Sequence, residues 1–293
     1  MSDSQRMEKI VGRTGDLPSI PAIVHDVMEI TSDANVALSD VSALIEKDIA
    51  LTAKLLKVSN SSYYGMRQVV GTLKLALVIL GVREVRNIVL AISILDTLRN
   101  EETEVLMGEH GLWNHSITVA GIAKRLGAHL ELSLQGEDFI AGLIHDVGQM
   151  VLWKQLGQEY RDLYRRAKDE DLALHELEND TYGFDHADVA AAIAGQWHFP
   201  ATLECAIRSH HAREDRQLAQ TEAPVLASLI RISNLAAYDA FDPDNPVASA
   251  SSLDDEAWSI LAEAQGPPPP QLVRSEIIFT FKEDLKQSPQ LAL

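Results

Sequence analysis

Imidazoles recur on the apolar stripes of four helical segments that lie far apart in this chain, and few folds can accommodate that. Leu112, His115, Val119, Ile122 and Leu126 follow one another at steps of three and four, so His115 faces inward with its apolar neighbours. Ala141, His145, Gly148 and Leu152 make a second stripe, and His186, Val189, Ala190, Ile193 and Trp197 a third. In "LECAIRSHHARED", Leu203 and Ile207 share a face with His210 and His211. A fifth segment lines up Ala227, Ile230 and Asn234.

Helical periodicity runs through the rest of the chain, while period-two alternation is absent and aromatics are only 5%. The expected fold is all-α. Pro18 and Pro21 open a segment with Ile23, Val27 and Ile30 on one stripe. Ser39 is the expected N-cap of the next, which carries Val41, Leu44 and Ile45. A third carries Leu51, Leu55 and Val58; after "TLKLALVIL" and a break at Gly81, a long helix puts Val85, Ile88, Ile92 and Leu95 on one face. This reads as an amino-terminal bundle of short helices over residues 1–105. The acidic "RNEETEVLMGEH" marks a junction, and a second helical region follows over 106–240. The tail, 241–293, holds a loop, "FDPDNPVASASS", and two amphipathic segments around the stiff spacer "GPPPP".

The formal net charge is −18 over 293 residues. Such a surface repels nucleic-acid phosphates and anionic membranes. The short basic stretches "GVREVRN" and "YRRAK" are flanked by acids and read as solvated helix faces; Lys54 and Lys57 alone are too little charge for a DNA-binding helix. Cys205 is the sole cysteine, which excludes an internal disulfide and a cysteine-based zinc site and fits a reducing cytoplasm. "MSDSQRMEKI" lacks a signal-peptide core, and Leu73 to Leu95 is too interrupted by charge for a membrane span.

One histidine on an apolar face is ordinarily a core residue with a hydrogen-bond partner. Several buried imidazoles without partners are costly. A shared metal would satisfy them together, since neutral imidazole is a good ligand for zinc, iron, manganese or nickel. Asp146 would balance the charge and could bridge two ions. His25, His110, His129, His175 and His198 fall at helix ends or on polar faces and are given no role.

Residues of about 17–235 resemble an HDOD-domain protein, a bacterial signalling branch of the HD superfamily. "LPSIPAIVHDVMEI", "SALIEKDIALTAKLLKVSNSSYYG" and "LALVILGVREVRNIVL" carry the amino-terminal pattern, with Asp48-Ile49 in place of the usual Asp-Pro. "AGLIHDVGQMVL", "YGFDHADVAAAIAGQWHFP" and "AIRSHH" follow in the expected order. The resemblance implies an HD-like helical core with an additional amino-terminal helical bundle. It also implies a set of metal-ligand positions at His115, His145, Asp146, His186, His210 and His211, with the closing aspartate replaced by Asn234.

Three departures bear on activity. Asn234 brings no charge to a metal. Gln149 stands where active enzymes commonly carry a phosphate-contacting lysine. "HHAREDRQLAQ" lacks the Gly-Tyr-Pro signature of cyclic-di-GMP hydrolases. The leading expectation is a non-catalytic regulatory module that binds a signalling protein or a small ligand, with no nucleic acid or membrane partner and self-association left open. The alternatives are a metal-dependent phosphohydrolase acting on a nucleotide or phosphoester, and a di-iron redox or gas-sensing site. The cofactor expectation is one or two divalent ions (iron, manganese, zinc or nickel), with a metal-free hydrogen-bonded network as the competing outcome.

Overall fold

The structure, a computed structural model, describes residue 7 and residues 21–264 apart from 32, 34, 61–68, 99–110, 135, 198, 213–216 and 242–253. Among the described residues there is no strand. The amino-terminal helices are α1 (Ala22–Ile30), α2 (Leu38–Ile45), α3 (Ile49–Ser59), α4 (Leu73–Leu80) and α5 (Val82–Leu98). Then come α6 (Leu112–His129), α7 (Glu137–Ile144), α8 (Val147–Leu156), α9 (Gln158–Asp169) and α10 (Leu174–Tyr182). After these, α11 (His186–Gln196), α12 (Ala201–Arg208), α13 (Pro224–Phe241) and α14 (Asp255–Glu263) complete the order. The expected junction at 99–110, the loop at 242–253, the proline spacer and the last amphipathic segment lie outside the described residues.

Local chemistry sets the helix starts. The Asp48 side chain accepts the Leu51 N–H at 3.0 Å and caps α3. Ile49 is therefore the first helical residue, a position with no intrahelical N–H partner, where proline and isoleucine are both tolerated. Thr72 caps α4 in the same way, and Gly81, at φ +86°, lets the chain turn directly into α5. The start of α2 differs from expectation: Ala37 is at the N-cap, and the Ser39 hydroxyl bonds the neighbouring Asp40 carboxylate instead of a backbone N–H.

The core that frames the site is built on α6, which packs against α7 and α13, and on α11, which packs against α8 and α12. Two glycines allow the closest approaches. A Cβ on Gly142 would lie 2.6 Å from Ala120 Cα, and a Cβ on Gly148 would lie 2.0 Å from the His186 carbonyl oxygen. The amino-terminal helices join this core through α5, which lies on α7 and pairs Glu84 with Lys124 of α6. Lys54 of α3 is occupied by Asp96 of α5. Among the described residues no helix is long and apolar enough to cross a membrane.

Candidate metal centre

His145 and Asp146 are read from sequence as part of one helical run, but the structure places them at a break. α7 ends at Ile144 with His145 as its C-cap, and Asp146 is the N-cap of α8. Adjacent residues on an unbroken helix diverge by about 100°. The break lets both side chains enter the same space. His210 and His211 are likewise beyond a helix: α12 stops at Arg208 with Ser209 as C-cap, so the pair stands on the turn that follows. His186 is the first residue of α11, fixed by a capping box between Asp185 and Asp188.

All seven sequence-predicted positions meet. His115, His145, Asp146, His186, His210, His211 and Asn234 are each at most 9% exposed. Asp146 is at the centre. Its Oδ1 lies 3.0 Å from His186 Nε2 and 3.3 Å from His210 Nε2. Its Oδ2 lies 3.4 Å from His145 Nε2 and 3.6 Å from His115 Nε2. His211 Nε2 is 2.9 Å from His186 Nε2, and His115 Nε2 is 2.8 Å from Asn234 Oδ1. Two donor groups result, one of Asp146, His186, His210 and His211, the other of His115, His145 and Asp146, joined by the carboxylate.

Outer contacts choose the tautomers. His145 Nδ1 donates to the Gly142 carbonyl at 2.8 Å, and His210 Nδ1 to the Ile207 carbonyl at 2.6 Å. His186 Nδ1 donates to Glu178 Oε2 at 2.6 Å, and the same oxygen accepts the His186 backbone N–H at 2.9 Å. With Nδ1 occupied, Nε2 of His145 and of His210 presents a lone pair to the centre.

Electrostatics follow from burial and proximity. Burial pulls His115 down to about 4 against the pull of Asp146, and burial takes His210 to about 4 as well. Burial, then His210 and His186, push His211 well below the usual imidazole range. Burial works against the Asp146 charge, yet His145 and His186 hold its carboxyl well below the usual carboxylate range. Burial also opposes a charged His186, but Glu178 and Asp146 hold it well above ordinary imidazole. The cluster therefore keeps a proton on His186 between two carboxylates, while His115, His210 and His211 stay neutral.

The residues present fit a divalent metal. Asp146 Oδ1 and His210 Nε2 are buried with no hydrogen-bond partner. Ligand atoms about 2.0–2.2 Å from a common ion sit roughly 3.0–3.5 Å apart, close to the separations around Asp146. The donors are imidazole and carboxylate, which suit zinc, iron, manganese or nickel. His115, His145 and Asn234 would serve one ion and His186, His210 and His211 another, with Asp146 between them.

Two supporting residues, Glu178 and His175, escape a reading centred on histidine stripes. Glu178, fully buried, anchors His186 and accepts the Tyr160 hydroxyl on its other oxygen. Its signal was the step-of-four series Leu174, Glu178, Tyr182, which turns one acid of a polar helix inward. His175, given no role from sequence, stacks on His211 with ring centroids 3.9 Å apart and planes within 7°. Gln149, at the phosphate-contacting lysine's position, is buried at 5% exposure.

A helical core of this order, with an amino-terminal helical bundle and imidazoles gathered on a His-Asp pair, defines an HD-type protein. The sequence profile of the HDOD domain matches residues 17–213, and the chain belongs to that family. An uncharacterized protein of Treponema pallidum (strain Nichols) is 27% identical over 206 residues, covering 69% of this chain but 39% of that protein. Among solved structures, an HDOD domain protein of unknown function from Geobacter sulfurreducens superposes with a TM-score of 0.72 at 22% identity, over 97% of this chain and 98% of that one. A candidate phosphohydrolase from Shewanella amazonensis SB2B superposes at 0.68 with 19% identity, over 94% and 97%. These likenesses establish the shared HD-like helical fold.

Proposed function

We propose that this chain is a regulatory HDOD module whose Asp146 centre holds one or two divalent ions to set a conformation read by a signalling partner. The observation that carries the metal is the pair of sealed, unsatisfied atoms, Asp146 Oδ1 and His210 Nε2. An unmet buried acceptor costs about 1–3 kcal/mol, and two facing one another cost more. A cation between them removes both penalties. Several features favour regulation over turnover. The donor residues are buried, Asn234 leaves one half of the centre without its second carboxylate, and Gln149 supplies no positive charge for a substrate phosphate. The acidic surface favours a protein or small-ligand partner over nucleic acid or membrane.

A second reading, metal-dependent hydrolysis of a phosphoester, is favoured by one specific feature. Each Asp146 oxygen faces its own set of imidazoles, as a carboxylate shared by two ions would. Bound ions would supply an acidified water and stabilise charge on phosphorus. In that reading this chain's own Gln149 would orient substrate by hydrogen bonding, and Glu178 would hold His186 in place. The same donors suit iron, the basis of a third, redox reading.

Elemental analysis of untreated protein beside His210→Ala, followed by a chromogenic phosphodiester assay of the metal-loaded chain, separates these readings. The expected result is a stoichiometric ion lost in the variant, with no turnover above the His145→Ala background. Turnover abolished in that variant would transfer the conclusion to the hydrolase. A visible absorption band under air would favour iron. Protein that neither contains nor takes up zinc, manganese, iron or nickel would overturn the metal altogether.

A further inference from the structure

Arg231 is on α13, one turn before Asn234, and its side chain is 2% exposed. Nε donates to the Ser209 carbonyl at 3.0 Å, and Nη2 donates to the His211 carbonyl at 3.2 Å. Ser209 and His211 flank His210 in the chain. The guanidinium therefore grips the ligand turn on both sides of the residue whose Nε2 faces Asp146. Nη1 donates to Asp254 Oδ2 at 2.8 Å, while the Glu256 carboxylate stands 3.9 Å off and is 40% exposed. The second oxygen of Asp254 accepts the Ala257 N–H at 3.1 Å and caps α14. That helix buries Ala257, Trp258 and Leu261 and packs on α13. One carboxylate thus starts the last described helix and neutralises the arginine behind the paired histidines. Arg231 and Asp254 both lie beyond the stretch matched by the family profile.

A rigid planar fork suits two carbonyls and a carboxylate at once. Its charge is tolerable at this depth because the carboxylate is there, and removing one partner of a buried pair leaves an uncompensated ion. We propose that Arg231 is a positioning residue for His210 and His211, and that Asp254 makes the ligand turn depend on the docking of α14. The proposal builds on the metal reading above. With α14 docked, Arg231 is neutralised and braces the turn. With α14 lifted, Arg231 loses its carboxylate and the turn loses its brace. The response is graded: His145 and His186 pack against the paired imidazoles, with His145 and His210 ring centroids 4.7 Å apart, whereas His115 stands on α6 and is held by Asn234.

Asp254→Ser keeps a side-chain oxygen able to cap α14 but removes the charge that holds Arg231. Asp254→Glu restores that charge, and Glu256→Gln is the control. Zinc(II) alone, titrated into the full chain against a chromogenic chelator, should bind about tenfold to a hundredfold more weakly to Asp254→Ser. Glu256→Gln should match the parent, and Asp254→Glu should recover most of the loss. In the metal-free proteins, nitrogen-15 ring spectra should show the largest shifts at His210 and His211 in Asp254→Ser, with His115 unmoved. A folded Asp254→Ser protein with parental zinc affinity and unmoved rings would overturn the proposal. If the parent takes up no zinc, the metal reading falls, and the ring spectra alone judge the brace: shifts at His210 and His211 with His115 unmoved uphold it, and any other pattern rejects it.

Discussion

His210 Nε2 faces Asp146 Oδ1 across 3.3 Å, and neither atom has a hydrogen bond. His210 spends its one proton on the Ile207 carbonyl, so two lone pairs confront each other in a space sealed from water. His186 Nε2 makes an ion-pair contact with that oxygen at 3.0 Å without the alignment of a hydrogen bond. A cation is the simplest group that satisfies this geometry. Chelation should therefore lower the melting temperature, and metal should restore it. An ion at a hundred times its dissociation constant contributes about 2.7 kcal/mol. Calorimetry with and without chelator measures this, and the same chelator should leave His210→Ala unaffected. Identical melting curves for the parent in both buffers would count against an ion.

Asn234→Asp is expected to act in opposite directions on the two forms. The residue's Oδ1 is 2.8 Å from His115 Nε2, at the position where the resemblance implies a carboxylate. Without metal, a second buried anion near Asp146 lowers stability, because like charges at close range resist joint ionisation. With metal, the added charge tightens the half built on His115 and His145. Thermal melts of both forms, with a manganese titration, test this; a variant equally destabilised with and without metal would refute it.

Glu178→Gln should weaken metal binding about tenfold to a hundredfold, as loss of an outer partner of a ligating histidine does. Tyr160→Phe is expected to be milder. It leaves one Glu178 oxygen without its donor, at about 1–3 kcal/mol, yet keeps the His186 anchor. Equal metal affinities for Glu178→Gln and the parent would mean that His186 needs no anchor.

Gly148→Ala should be among the most damaging single-methyl changes in the chain. The added carbon would meet the His186 carbonyl at 2.0 Å and the Ala190 nitrogen at 2.9 Å, both backbone. Relief requires α8 and α11 to separate, which moves His186 away from Asp146. Overpacking of this kind costs about 1–3 kcal/mol or more, so reduced expression, a lower urea midpoint and lost metal are expected together. A variant with the parent's urea midpoint and metal content would contradict the packing described.

The site was legible in sequence to the extent that it follows a helical period. His115 is in the first turn of α6, inside one unbroken helix, where steps of three and four assign a face without ambiguity. The period failed at His145-Asp146 and at His210-His211, because both pairs stand where a helix has stopped, and a continuous stripe carries no mark of that stop. Glu178 was hidden by its charge: in "LHELENDTY" an acid reads as solvent-facing unless its step-of-four neighbours are weighed. Arg231 carries a clearer signal, a lone cation inside the apolar "VLASLIRISNLAAY", which demands buried partners. The positions of those partners, two carbonyls on one turn and a carboxylate 23 residues on, depend on tertiary packing.

Acid should destabilise the metal-free protein over a defined window. His115 and His210 titrate near 6.5 when unfolded and are pulled to about 4 in the folded chain, and burial is the main cause in both. Between those values the unfolded chain binds more protons than the folded one. Stability is therefore fully present above about 6.5 and is lost as the pH falls towards 4. His211, also held low, acts in the same direction and extends the loss downward. His186 opposes it: its folded value is raised, so its contribution is complete below 6.5 and fades as the pH rises through that higher value. Each unit of separation is worth about 1.4 kcal/mol, and His115 and His210 together should cost a few kcal/mol between pH 7 and 4.5. Urea midpoints of chelator-treated protein at pH 7, 6, 5 and 4.5 should fall steadily. His210→Gln, which has nothing to titrate at that position, should show a shallower fall. A parent midpoint constant down to pH 4.5 would mean that these imidazoles are not buried as neutral groups, and the geometry around Asp146 would have to be abandoned.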